Sequence, residues 1–170
     1  MTVDRTGEYA WPAGARLARD LDAIVACRGL SVCDLGCGLG ALGAVALAAD
    51  AASVAFLDGS ADALAAVKTV NGGDARASFL RHEWGSPLPA RYGLILGGDI
   101  LYRPECFAAL LDSIASGLDE RGRCLLSDPR SALEPELPAL AAQRGLGWTT
   151  ERRTDFTLVR VWRTGGLAAG

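Results

Sequence analysis

Residues 31–43 read SVCDLGCGLGALG: an apolar run carrying an acid, Asp34, then a turn with glycine at Gly36, Gly38 and Gly40, then an alanine- and leucine-rich helix. A backbone that turns sharply and lies against a ligand leaves no room for Cβ. The amides that open the following helix then face that ligand. The next apolar run, SVAFLD, ends at Asp58, placed to accept both hydroxyls of a ribose. Two acids one βαβ unit apart describe a site for an adenosine-type cofactor that carries a positive group.

Two registers of the glycines compete. Gly38, Gly40 and Gly43 also satisfy the dinucleotide pattern GxGxxG, which wants its strand to run straight into the first glycine. That register forces the strand to carry Gly36 internally, which weakens it. Starting at Gly36 gives a clean strand, SVCDL, with Asp34 at its mouth. A pyrophosphate would be repelled by that carboxylate, whereas the ammonium and sulfonium of S-adenosylmethionine would be drawn to it. The expectation is S-adenosylmethionine, with S-adenosylhomocysteine as product, rather than NAD. A glycine-rich turn without a ligand is the plainer alternative.

A chain of 170 residues, half of them apolar, is long enough for one domain over 1–170 with a three-layer core. The net charge of −3 gives no reason to expect a nucleic-acid partner, and Arg152-Arg153 is too short a basic patch to argue otherwise. Cys27, Cys33, Cys37, Cys106 and Cys124 are an odd count without CxxC spacing or nearby histidines. They read as reduced thiols, and no metal site is expected. The start, MTVDRTGEYAW, is charged and lacks an apolar core, so it is no signal peptide. No stretch is apolar and long enough to span a bilayer. The expectation is a soluble, cytoplasmic monomer without a membrane partner.

Along its length the chain alternates between helical and extended patterns. A helix is expected over Pro12–Cys27, with proline at its opening and Leu17, Leu21 and Ile24 at helical spacing. Strand Ser31–Leu35 and helix Leu39–Ala49 follow, then strand Ser53–Leu57 and a helix over Ala61–Asn71 stopped by Gly72-Gly73. Further strands are expected at Ala77–Arg81, Tyr92–Leu96 and Arg123–Ser127, with helices over Pro104–Gly117 and Leu137–Arg144. Trp148–Arg153 and Phe156–Trp162, split by Thr154-Asp155, suit an antiparallel hairpin. Such alternation predicts an α/β fold: a Rossmann-like, seven-stranded, mostly parallel sheet, helices on both faces, and a C-terminal antiparallel hairpin.

The segments WPAGARLARDL, VCDLGCGLGALG, FLDGSADAL, HEWG and LILGGDILYRPECFAALLDSI, taken in order, resemble the class I, seven-strand methyltransferases. Among these the chain is most similar to the protein-lysine methyltransferases, the branch that includes the enzyme acting on the electron-transfer flavoprotein β subunit. The resemblance spans essentially the whole chain. Its glycine loop is shared by all such enzymes; the combination of Trp11, Trp84 and Asp99-Ile100-Leu101-Tyr102 is more specific. Asp128-Pro129-Arg130-Ser131 departs from the DPGR pattern of that branch, which bears on the acceptor more than on the chemistry.

What this implies can be set beside what the residues allow. Asp34 stands where such enzymes hold the methionyl ammonium; a loop or helix cap is its other reading. Gly36, Cys37 and Gly38 would lay backbone along the methionyl and ribose portions, with Cys37 present for its size. Asp58 would bind the ribose by two charge-assisted bonds, although an acid here also serves as a helix cap, a task Ser60 does better. Glu83 and Trp84 follow the third strand at the adenine end, Trp84 as an apolar platform or as plain core, Glu83 as acceptor for the exocyclic amine. Trp11 would cover the cofactor or else staple the first helix. Gly97-Gly98 would let the chain pass close to the sulfonium.

Asp99 and Tyr102 follow the fourth strand, where the transferred methyl is expected, and are the candidate catalytic pair. Displacement at a sulfonium methyl needs mainly orientation and desolvation. A lysine acceptor must first become neutral, at a cost of roughly 4–5 kcal/mol at pH 7, and Asp99 would attract and orient it while Tyr102 shapes the slot. No dedicated base is visible, and His82 lies too early for one. The implied partner is a protein presenting a lysine. A small-amine methyltransferase and a cofactor-binding domain without catalysis are the alternatives.

Overall fold

The runs expected to be extended form strands in the computed structural model, which describes residues 11–165. In chain order the elements are α1 (Pro12–Ile24), β1 (Ser31–Leu35), α2 (Ala41–Ala48), β2 (Ser53–Asp58), α3 (Ala61–Asn71), β3 (Ala77–Arg81) and β4 (Tyr92–Gly98). A 3-10 turn (Pro104–Cys106) then leads into α4 (Phe107–Gly117), β5 (Leu118–Asp128), α5 (Leu137–Ala142), β6 (Leu146–Arg152) and β7 (Thr157–Arg163). The sheet has seven strands in the order β3-β2-β1-β4-β5-β7-β6. Strands β1 to β5 pair in parallel, and β7 runs antiparallel to both β5 and β6. The expected Rossmann-like fold with its closing hairpin is what forms.

The sheet divides two apolar clusters. Alternate residues of one strand point to opposite faces: Val32 joins Leu94, Leu96 and Leu125 beneath α1, α2 and α3, with Leu17, Leu21, Ala46 and Val67. Cys33 and Leu35 join Ile95, Cys124 and Leu126 beneath α4 and α5, with Leu110, Ile114 and Leu137. The chain leaves β1 toward β2 and β3, then crosses back to β4 and continues outward to β5. Crossings of this kind open a crevice at the carboxyl ends of the two central strands, where α/β sheets bind ligands.

Several boundaries differ from expectation, each for a local reason. Helix α1 stops at Ile24 because Val25 is already extended, at φ −152°. Helix α2 begins at Ala41, since Gly40 before it is left-handed at φ 76°. Strands β2 and β4 run on to Asp58 and Gly98, and a 3-10 turn takes the place of the first turn of the expected Pro104 helix. Strand β5 starts at Leu118, five residues early, because Leu118 pairs with Tyr92 across a register shift in β4. Helix α5 is shorter than expected, and β6 and β7 are offset by a residue or two. The hairpin between them is closed by the Arg153 amide on the Phe156 carbonyl, 2.9 Å away.

Candidate functional site

The glycine loop is tied to β2 before it meets anything else. The amides of Gly36 and Cys37 both donate to the Leu57 carbonyl, at 2.8 and 3.0 Å. Gly36 needs φ 68° to make that turn, and a Cβ there would stand 2.9 Å from Cγ2 of Ile100. Asp58, at the tip of β2, accepts from the Gly38 amide through Oδ2 (2.9 Å) and from the Ser60 amide through Oδ1 (2.8 Å). Its carboxylate therefore sits against the loop with lone pairs to spare. Ser60 takes the N-cap of α3, accepting from the Ala63 amide, which leaves Asp58 out of that task. Burial pushes the Cys37 thiol far up; it acts as a small apolar residue.

Asp34 lies beneath the loop, within β1, only 2% exposed. Its Oδ2 accepts the Gly43 amide at 2.8 Å, one of the otherwise unpaired amides in the first turn of α2. Burial raises its pKa to about 7 against the opposing effect of that amide, and nearby Asp58 adds to the rise. The cap reading of Asp34 is thus met in the structure. One α2 amide that a pyrophosphate would use is already taken.

On the β3 side, the His82 amide donates to the Asp58 carbonyl at 3.0 Å, bringing the segment after β3 beside the tip of β2. Glu83 is largely exposed and paired with Arg81 at 3.2 Å; a Cβ on Gly59 would lie 3.5 Å from its Oε2. Trp84 is half-buried, with Cζ2 3.9 Å from the position of a Cβ on Gly36. Tyr102 meets Trp84 edge-on, centroids 6.2 Å apart and planes at 63°, and carries the Arg103 guanidinium over its ring at 5.2 Å. Gly36, Trp84, Ile100 and Tyr102 thus form one wall, with Asp58 and Glu83 at one end of it.

The segment after β3 is tied to α4 by two serines. Ser113, buried on α4, accepts from the Gly85 amide at 3.0 Å, donates to the Ser86 carbonyl at 3.1 Å and lies 3.1 Å from His82 Nε2. One turn along, Ser116 accepts from the Leu88 amide.

At the end of β4, the expected openness above Gly98 is occupied by α1: a Cβ on Gly98 would lie 2.6 Å from Cα of Gly14. Asp99 follows in a left-handed conformation, φ 56°, one that Asp tolerates better than most residues. Its Oδ2 accepts the Gly14 amide at 2.5 Å, so it closes the first turn of α1. Its Oδ1 is buried without a hydrogen-bond partner. Burial raises its pKa, with the Gly14 amide opposing and Asp128 adding to the rise. Trp11 stands exposed at the N-cap of the same helix. The structure brings Asp34, Gly36, Cys37, Gly38, Asp58, Glu83, Trp84 and Tyr102 to one end of the sheet. It gives Gly98 and Asp99 a helix to hold as well.

Two residues had no role assigned from the sequence. Gly14 has no signal beyond being a glycine inside a helix. Arg130 has one: it comes two residues after Asp128, and in the structure it grips both oxygens of that buried carboxylate with the Nε and Nη2 of its guanidinium. It also pairs with Glu134 and donates to the Leu101 carbonyl at 2.5 Å. The loop after β5 therefore fixes the backbone just before Tyr102.

Among the described residues no group of His, Cys, Asp and Glu could hold a metal ion, and no helix is long and apolar enough to cross a membrane. A family model described as the methyltransferase small domain matches residues 13–97. No curated protein matches the chain. Among solved structures, a TehB-like methyltransferase from Corynebacterium glutamicum is 18% identical at a TM-score of 0.72, covering 89% of this chain and 88% of its own. A ribosomal-protein methylase from Lactobacillus delbrueckii is 20% identical at 0.69, covering 88% and 77%. The glycopeptide N-methyltransferase MtfA, solved with S-adenosylmethionine, is 15% identical at 0.72, covering 96% and 99%.

Proposed function

From the premise that the chain belongs to the methyltransferase small-domain family, we propose that it is an S-adenosylmethionine-dependent N-methyltransferase whose acceptor is a lysine side chain of a protein. One observation carries the cofactor: Asp34 sits buried under the glycine loop and occupies the Gly43 amide of α2. A cationic ligand relieves that buried carboxylate; a pyrophosphate meets its charge and loses one of its amides. The residue set agrees, since Asp34, Asp58 and Glu83 are all acceptors at one end of the sheet. Gly36 and Gly38 give the loop the positive φ, 68° and 49°, that its sharp turn requires.

When bound, S-adenosylmethionine supplies an electrophilic methyl group and leaves as S-adenosylhomocysteine. Asp58, already oriented by two backbone amides, binds the ribose hydroxyls. Trp84 gives the adenine a flat apolar face, and Glu83 accepts from its exocyclic amine. Asp99, buried with one carboxylate oxygen unpaired, draws the incoming amine by its charge, and Tyr102, nearly half exposed at 45%, forms the wall of the slot. Arg130 positions Tyr102 by holding the Leu101 carbonyl.

The family match ends at Gly97, before Asp99 and Tyr102, so the acceptor rests on those two residues. An exposed tyrosine in the segment after β4 suits a side chain that protrudes from a partner's surface. The free thiols suit a reducing compartment, and we place the protein in the cytoplasm. Calorimetry with S-adenosylmethionine, S-adenosylhomocysteine and NAD tests the cofactor: heats for the two sulfur compounds alone are expected, and comparable binding of NAD overturns the reading. Labelled cofactor with a cell lysate, followed by mass spectrometry, tests the acceptor. Label on lysine of a protein is expected; label only on free small amines moves the assignment to that class.

A further inference from the structure

The bonds around Ser113 can be counted. A serine hydroxyl has one proton to give and two lone pairs to receive. Ser113 gives its proton to the Ser86 carbonyl and receives the Gly85 amide. The third neighbour, His82 Nε2 at 3.1 Å, meets the remaining lone pair and so must bring the proton. Turning the hydroxyl toward Nε2 instead would strip the Ser86 carbonyl of its partner. The counting fixes the neutral imidazole as the Nε2–H tautomer. Ser113 is fully buried and His82 is 8% exposed, so neither group is exchanging these partners for water at will. Burial lowers the His82 pKa and so favours a neutral imidazole over a charged one.

These bonds join one helix residue to three successive points of the segment that carries Glu83 and Trp84. We propose that Ser113 and His82 act as a positioning pair that presets the loop over residues 82–88 to receive the adenine end of the cofactor. The clamp itself needs no ligand; its link to adenine rests on the reading given above. Neither residue touches the reacting atoms, and both act through Glu83 and Trp84.

His82 is the sole histidine of the chain, so its ring nitrogens give an unambiguous signal in ¹⁵N NMR of the full-length protein. The Nε2–H tautomer is expected in the ligand-free protein. Ser113→Ala is expected to weaken S-adenosylmethionine binding about tenfold and to leave the rate at saturating cofactor within about twofold, a split in KM rather than kcat. His82→Gln keeps a donor in reach and should bind nearly as wild type, whereas His82→Phe should match Ser113→Ala; this pair stands in if Ser113→Ala does not fold. An Nδ1–H tautomer overturns the clamp, and so does a folded Ser113→Ala or His82→Phe that binds the cofactor normally. A wild-type protein that binds no S-adenosylmethionine removes the adenine role together with the reading it rests on. In that case the tautomer still decides the clamp alone.

Discussion

Replacing Asp99 separates its two tasks. In Asp99→Ala the Gly14 amide loses an anionic acceptor, a loss of about 1.5–3 kcal/mol, and a residue without a local polar partner is left at φ 56°, costing roughly 1 kcal/mol more. Removing a buried carboxylate whose Oδ1 has no partner offsets part of this. The net expectation is about 2 kcal/mol, which lowers Tm by about 4–8 °C for a chain of this size. Asp99→Asn keeps an acceptor for Gly14 and tolerates the left-handed conformation, so its Tm should stay within about 4 °C of wild type. What it loses is the charge that draws and aligns the amine, and its turnover should fall on the order of 10²-fold. Thermal unfolding, calorimetry with S-adenosylmethionine and a single-acceptor methylation assay read the three quantities separately. Cofactor affinity should hold in Asp99→Asn. An Asn variant that methylates at the wild-type rate refutes the amine role; an Ala variant that melts with the wild type refutes the helix-closing role.

Asp58→Ala should weaken S-adenosylmethionine by about 1.5–3 kcal/mol, measured by calorimetry on a folded variant; unchanged affinity would leave Asp58 as a loop brace only. Asp34, raised to about 7 in the fold from a carboxylate's usual value near 4, costs stability when charged. Stability from this group is therefore full below about pH 4 and lost as pH rises to about 7, and denaturant titrations should show that slope flattened in Asp34→Asn. Cofactor binding near pH 7 should release protons as Asp34 ionises against the ligand, seen as heats that depend on the buffer's ionisation enthalpy. Gly43→Ala gains about 1 kcal/mol of helix propensity but sets a Cβ 2.3 Å from the buried Phe56 ring. Overpacking of about 1–3 kcal/mol or more wins, so Tm should drop; a rise would show that Phe56 yields freely.

The cofactor end of this site was legible because parallel strands deliver it. Whatever follows SVCDL, SVAFLD and the strand before HEWG must emerge at the same end of the sheet, so Gly36, Asp58, Glu83 and Trp84 converge by topology alone. The long start of β5 was not legible: Asp119-Glu120-Arg121-Gly122 has the composition of a turn, and only its pairing with Tyr92 makes it strand. The second role of Asp99 was hidden for a different reason. Its partner is a backbone amide 85 residues away, and Arg130 likewise grips a backbone carbonyl. Main-chain atoms leave no mark on the side-chain pattern, so contacts made to them are visible only once the chain is folded.

The crossing from β3 back to β4 also has an evolutionary consequence. The residues assigned to ribose and adenine precede it, and those assigned to the acceptor, Asp99, Tyr102 and Arg130, follow it. Besides the pairing of β1 with β4, the join is bridged by the edge contact of Trp84 on Tyr102, the bond from Gly14 to Asp99, the bonds of Ser113 with His82, Gly85 and Ser86 and the bond from Leu88 to Ser116. A lineage that recombined between residues 88 and 92 while keeping those ties would inherit its grip on the methyl donor intact and acquire a different acceptor in a single event. A chimaera joined there measures it directly: S-adenosylmethionine affinity should follow the first parent and acceptor choice the second.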